Sequence, residues 1–301
     1  MNEKRAFMFG IAAVLFWSTV ATAFKLTLAT FTPVQMLTAA CGSSVVALSF
    51  IVHKQGKWAQ LLPTFKKSPR FFMLLAALNP LCYYLILFRA YDLLPASQAQ
   101  TINYSWAITL TLMAALFLGQ RLRIIDGVAA LLCYFGVMII ATKGNIAALQ
   151  FDSVEGVALA LFSTLLWAGY WILNRKNSAD PVVSTMLSFT LAFPAALIIS
   201  LFSEQSWAGL PIEGWLGAVY IGFFEMGITF YLWLTALKLT EQTARLSNLI
   251  FISPFISLML LATIIGEEIH PSTLFGLIAI IAGLLLQQYW PKFSQRLQRA
   301  K

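Results

Sequence analysis

One carboxylate, Glu225, sits near the middle of a long apolar run with no cation close to it in sequence. A charge at that depth is costly in hydrocarbon, so such a residue faces a cavity, a partner or a proton path. The competing role is a protonated side chain bonded to a neighbouring helix. Asn79 is polar at the same depth of an earlier run, and Pro80 after it frees a backbone carbonyl one turn back. Such a break either lines a cavity or kinks the helix, with the amide bonded across helices. The chemistry these residues offer is binding and proton exchange.

Five tryptophans, Trp17, Trp106, Trp167, Trp171 and Trp233, also lie deep in apolar runs, with Tyr104 and Tyr170. Each offers a flat apolar face and one polar handle, suited to a ring or to a cationic amine. Ser18, Thr19 and Asn103 could hydrogen-bond a small zwitterion, although Ser and Thr in membrane helices commonly bond their own backbone. The expected substrate-binding set is therefore Trp17, Ser18, Asn79, Asn103, Tyr104, Trp106, Trp167 and Tyr170, with Glu225 as the proton-coupling residue. Trp233 is assigned to packing, and Trp58, Trp207, Trp215 and Trp290 to the interfacial belt. Lys25 and Arg175, at span ends, are read as cations that snorkel to the headgroups.

Other chemistries find no support. His53 and His270 fall at opposite membrane edges, no zinc-ligand spacing is present, and no metal or cofactor is expected. A glycine-rich dinucleotide loop, a Walker loop, a His-Glu-x-x-His motif and a Ser-His-Asp set are all missing, so neither a catalytic residue nor a self-powered pump is indicated. Cys41, Cys82 and Cys133 each lie inside an apolar run and read as packing residues.

These side chains must be positioned by membrane helices. Of 301 residues, 59% are hydrophobic and only 11% charged, which no soluble domain of this size could bury. Ten runs approach the ~20 residues a helix needs to cross the hydrocarbon. They are expected at Ala6–Phe24, Pro33–Val52, Phe71–Phe88, Ser97–Leu118, Ile125–Thr142, Gly156–Asn174, Val182–Phe202, Gly214–Leu237, Thr243–Ile265 and Ser272–Trp290. The runs are too long for strands and lack period-two alternation, so the fold class is an all-α integral membrane protein. The start, Met1 to Arg5 before an apolar run and Ala21-Thr22-Ala23, is similar to a signal peptide. Its partner run later in the chain makes it the first span.

Lys and Arg near span ends stay cytoplasmic. With both termini cytoplasmic, only Lys25, Arg89 and Lys143 of the 20 basic residues fall outside. The net charge of +8 is thus spread over short loops facing anionic headgroups, and nucleic acid is not an expected partner. The halves, 1–145 and 146–301, repeat one another. Trp17 aligns with Trp167 and Lys25 with Arg175 at a shift of 150 positions; Asn79 aligns with Glu225 and Ala90 with Ala236 at 146; Gly119-Gln120 aligns with Gly266-Glu267 at 147. Five spans per half is an odd number, so the repeats are expected to be inverted, which is the layout of alternating access around a site at their interface.

Leu15-Phe16-Trp17-Ser18-Thr19, Gly266-Glu267-Glu268, and Gly276 with Gly283 together resemble the drug/metabolite transporter superfamily, specifically its EamA-type ten-helix carriers. Asn103-Tyr104-Ser105-Trp106 resembles the Asn-Tyr-x-Trp-Pro stretch of YddG-type aromatic amino acid exporters, with Ala107 in place of the proline, a change that removes an expected kink. Gln120 stands where the family often has glutamate. The resemblance implies a secondary active transporter in the bacterial cytoplasmic (inner) membrane, multi-pass, exporting amino acids or related small metabolites, aromatic amino acids among them. A broad exporter of hydrophobic cationic drugs is the first alternative, and an integral-membrane enzyme the alternative from another class. The expected partners are a small-molecule substrate and the lipid bilayer; the sequence is silent on oligomeric state.

Overall fold

The computed structural model describes residues 2–148, 151–203, 205–241, 246 and 248–299. Among them, ten helices are long and apolar enough to cross a membrane, numbered here as spans in chain order: Glu3–Leu28, Pro33–Lys54, Pro69–Leu93, Ala96–Leu118, Ile124–Ala141, Val154–Arg175, Pro181–Phe202, Ile212–Leu237, Asn248–Ile265 and Pro271–Trp290. The expected start of span 9, Thr243, lies outside the described residues. A short helix, Trp58–Lys67, precedes span 3 and buries none of its residues. Its apolar face is too short to register as a span, and its form suits the membrane surface.

Local chemistry sets many of the ends. Asn2, Thr32, Ser153 and Asp180 cap spans 1, 2, 6 and 7 by accepting backbone N–H groups of the first turn. Spans 4 and 9 stop at Gly119 and Gly266, whose φ of 64° and 73° lie in the left-handed region that glycine enters without penalty.

Spans pair in a regular way. Span 1 packs along span 8 and against span 9, span 6 packs along span 3 and against span 4, span 2 pairs with span 7, and span 5 with span 10. Spans 5 and 10 approach closely because Gly136 and Gly276 face each other. A Cβ on either would come 2.6 Å from the other's carbonyl oxygen.

Three spans are interrupted within their length, and a fourth begins irregularly. In span 3, Asn79 is extended (φ −146°, ψ 120°), since a residue before proline is pushed out of the helical region. Span 8 loosens into a π-helical stretch over Ile221–Ile228, with Glu225 inside it and the Thr229 hydroxyl donating to the Phe224 carbonyl. Span 9 begins with a 3-10 turn, Asn248–Ile252. Span 4 breaks between Asn103 and Trp106. The expectation that Ala107 would leave span 4 straight is thus corrected. The Ser105 N–H donates to the Ile102 carbonyl, and the Ile108 N–H to the Ser105 carbonyl, both at 3.1 Å. These three-residue bonds tighten the turn without proline.

Candidate functional site: a central aromatic cavity

Spans 1, 3, 4, 6, 8 and 9 enclose a cavity of ≈ 440 Å³. Its wall is mostly aromatic and continuous. Trp167 is central to it, stacked on Tyr83 at 4.6 Å between ring centroids and edge-on to Trp106 at 6.3 Å. Phe230 lies 6.2 Å from both Trp167 and Trp17, and Trp17 leans on Trp233 at 5.4 Å. Rings from spans 1, 3, 4, 6 and 8 thereby form one surface suited to a flat apolar ligand.

Polar groups are few. Glu225 lines the cavity; its Oε1 accepts from the Tyr84 hydroxyl at 3.0 Å, while Oε2 has no hydrogen-bond partner. Gln100, one turn into span 4, lines the wall at 6% exposure, and its buried Oε1 is likewise unpartnered. Asn103 donates to Ser163 Oγ at 2.9 Å and accepts from the Tyr83 hydroxyl at 3.5 Å. Among the described residues no Lys or Arg lines the cavity, so its one charged side chain is the carboxylate. Buried polar atoms without partners are costly, and a ligand that supplies the partners recovers that cost.

Of the expected site residues, Trp17, Asn103, Tyr104, Trp106, Trp167 and Glu225 come together on this wall. Three lie elsewhere than on this wall. Ser18 is buried and donates to the Val14 carbonyl at 2.7 Å and to Ser253 Oγ at 3.2 Å, the backbone competition common in membrane helices. Asn79 is buried at the span 3 break, behind the wall, with its Oδ1 unpartnered. Tyr170 stacks on Trp167 at 5.5 Å but packs outward into a cluster with Phe72, Leu75, Val183 and Leu187. Trp233, assigned to packing from sequence, lines the cavity, as does Trp171. Cys82 is exposed on span 3, whereas Cys41 and Cys133 are packed. The sequence reading passed over Tyr83, Leu87 and Tyr91, although they recur every four residues on one face of span 3.

The two ends of the cavity differ. At the end near Lys25, Phe24 and Tyr91 are 2% and 3% exposed and pack edge-to-face at 5.2 Å. Lys25 itself is half-buried and donates to the Tyr91 and Leu94 carbonyls at 3.2 Å each, so it does not snorkel as expected. At the opposite end the cavity meets a second cleft, ≈ 470 Å³, at Leu110 and Trp171; that cleft reaches Gln120 and Arg175. The Lys25 end is closed by packed rings, and Leu110 and Trp171 border both the cavity and the cleft on the Arg175 side.

A polytopic helical bundle folded around one central aromatic cavity is a membrane transporter in its architecture. The chain belongs to the EamA-like transporter family, whose profile matches residues 4–142 and again residues 154–287. It is 26% identical over 300 residues to the aromatic amino acid exporter YddG of Ancylobacter novellus, covering 95% of this chain and 96% of that protein. A probable amino-acid metabolite efflux pump of Salmonella typhimurium is 24% identical over 207 residues, 65% of this chain and 68% of its own. A solved structure described as the crystal structure of a protein superposes with a TM-score of 0.66 at 21% identity, covering 98% of this chain and 99% of that one. It shares the fold. The chain is therefore a multi-pass membrane transporter of the drug/metabolite superfamily.

Proposed function

We propose that this protein is a secondary carrier of a bacterial inner membrane that exports amino acids, aromatic ones among them, by alternating access with proton coupling at Glu225. The observation that carries this reading is the cavity itself: a continuous aromatic wall with one carboxylate and one amide whose buried oxygens lack partners. An amino acid's ammonium group can donate to the unpartnered oxygen of Glu225 or of Gln100, and a ring fits Trp167, Tyr83 and Phe230. The name of the Ancylobacter relative points the same way.

The duplication of 1–145 in 146–301, with the halves inverted, is part of the proposal. It is supported by the family profile matching twice. The span pairing supports it too: exchanging the halves turns span 1 with 8 into span 6 with 3, and span 1 with 9 into span 6 with 4. Asn79 and Glu225, aligned in sequence, both fall in interrupted helix. With the Arg175 face cytoplasmic, as the Lys and Arg bias suggests, the cavity opens to the cytoplasm, from which an exporter loads.

A second reading, export of hydrophobic cations, is favoured by one observation: among the described residues no cation lines the cavity to meet a carboxylate. Reconstituted protein assayed by counterflow with labelled tryptophan, leucine and tryptamine separates the two. Exchange of tryptophan above leucine is expected; exchange of tryptamine alone would overturn the amino-acid reading in favour of the cation reading.

A further inference from the structure

The turn between spans 3 and 4, Leu94–Pro95, is gripped from two sides by residues of different halves. Lys25, in the last turn of span 1, donates to the carbonyls of Tyr91 and Leu94, which the end of span 3 leaves unpaired. Glu267, just past span 9, accepts from the N–H groups of Ala96 at 3.0 Å and Ser97 at 2.9 Å, which the start of span 4 leaves unpaired. A cation thus sits on the negative end of one helix and a carboxylate on the positive end of the next. Tyr91 and Gln100, one turn to either side, are cavity wall. Whatever holds this turn holds the Lys25 face shut.

The sequence carries a second set of the same parts. Arg175 aligns with Lys25, Gln120 with Glu267, and Leu237 and Thr240 with Tyr91 and Leu94. Thr240 ends span 8 in an extended conformation (ψ 144°), as Leu94 ends span 3 (ψ 158°). The Arg175 side chain, however, is exposed and makes no hydrogen bond or ion pair to a described residue; with Gln120 it borders the second cleft.

We propose that Lys25 and Glu267 are the positioning residues of one gate, and that Arg175 closes the opposite gate by donating to the Leu237 and Thr240 carbonyls when the cavity faces the other way. Gln120 supplies the neutral counterpart of Glu267. The inference rests on the duplicated, alternating-access reading above. Bonds to a carboxylate are roughly twice as strong as neutral ones, so the two gates are unequal and the chain rests with the Lys25 face closed. That inequality is particular to a chain with glutamine at 120 and glutamate at 267.

The test reads gate position without substrate, so it is independent of which solute is carried. Cys41, Cys82 and Cys133 are replaced by alanine, a reporter Leu87→Cys is placed in the cavity, and a membrane-impermeant maleimide is applied to vesicles of each orientation. Labelling is expected from the Arg175 face in the parent. Glu267→Gln and Lys25→Gln should each raise labelling from the Lys25 face by about fivefold or more, the scale of losing a charge-assisted hydrogen bond. Lys25→Arg should restore the parent pattern, which separates loss of the bond from misfolding. Gln120→Glu should move labelling toward the Lys25 face, and Arg175→Gln should move it away. Unchanged orientation ratios in both Lys25→Gln and Glu267→Gln would overturn the first gate, and unchanged ratios in Gln120→Glu and Arg175→Gln would overturn the second.

Discussion

Tyr84, fully buried in span 3, donates its hydroxyl to Glu225 Oε1 at 3.0 Å across 141 positions of sequence, leaving the buried Oε2 of the same carboxylate without a hydrogen-bond partner. One oxygen is anchored and the other is available. A carboxylate so held can exchange a proton on its free oxygen without losing its position. Glu225→Gln keeps shape and hydrogen-bonding capacity but cannot titrate. It should abolish accumulation driven by a pH gradient while preserving substrate exchange, measured in proteoliposomes; full gradient-driven transport in the variant would make Glu225 structural. Tyr84→Phe should leave coupling present but weaken it, because it frees the anchored oxygen at a cost of about 1–3 kcal/mol.

The aromatic wall should discriminate between rings and chains. Trp167→Ala removes the ring that touches Tyr83, Trp106 and Phe230 together, and should lower uptake of ring-bearing substrates more than of small aliphatic ones. Offset and edge-to-face contacts are worth ~0.5–1.5 kcal/mol each beyond area burial, so losing a ligand contact predicts several-fold selectivity loss. Trp17→Ala and Trp106→Ala should show the same bias more weakly. Equal losses for both substrate classes would assign these rings to packing.

Much of the architecture was legible because hydropathy is a property of the chain read in order. The ten spans follow from it, and the sequence alignment behind the proposed repeat paired Trp17 with Trp167, both of which line the cavity. Rotation about a helix axis was not legible. Ser18 follows Trp17 by one residue and so points about 100° away, which turns a cavity position into a packing one. Trp171, four residues after Trp167, shares its face, whereas Tyr170 turns toward span 7. Gln100 was visible at helical spacing from Asn103, but nothing in the sequence says that its amide goes unpaired. The Tyr84–Glu225 bond and the grip on Leu94–Pro95 join distant segments, and only the packed structure brings them together.

Sidedness has a direct test. A reporter fused after Arg123 should be cytoplasmic and one after Asn145 external, because the basic residues concentrate on the Arg123 side of the bundle. Reversed labelling would place the open cleft outside and would remove the loading argument for export.

Asp180 provides the pH prediction, at the membrane surface. Its carboxylate takes an ion pair from Lys57 at 2.7 Å and caps span 7 through the N–H groups of Val182 and Val183. Burial works to raise the Asp180 carboxyl, but the Lys57 ammonium and the two N–H groups outweigh it and hold the group below the ordinary carboxylate range. A depressed carboxyl stabilises the fold above its unfolded pKa, and that contribution fades as pH falls through the folded one. Thermal stability in detergent should therefore drop more steeply below about pH 4 in the parent than in Asp180→Asn, because asparagine keeps the cap but cannot titrate. At neutral pH the Asn variant should be less stable by only about 0.5–1 kcal/mol, the scale of a partly exposed ion pair. Parallel pH profiles for the two proteins would mean that Asp180 contributes no pH-dependent stability.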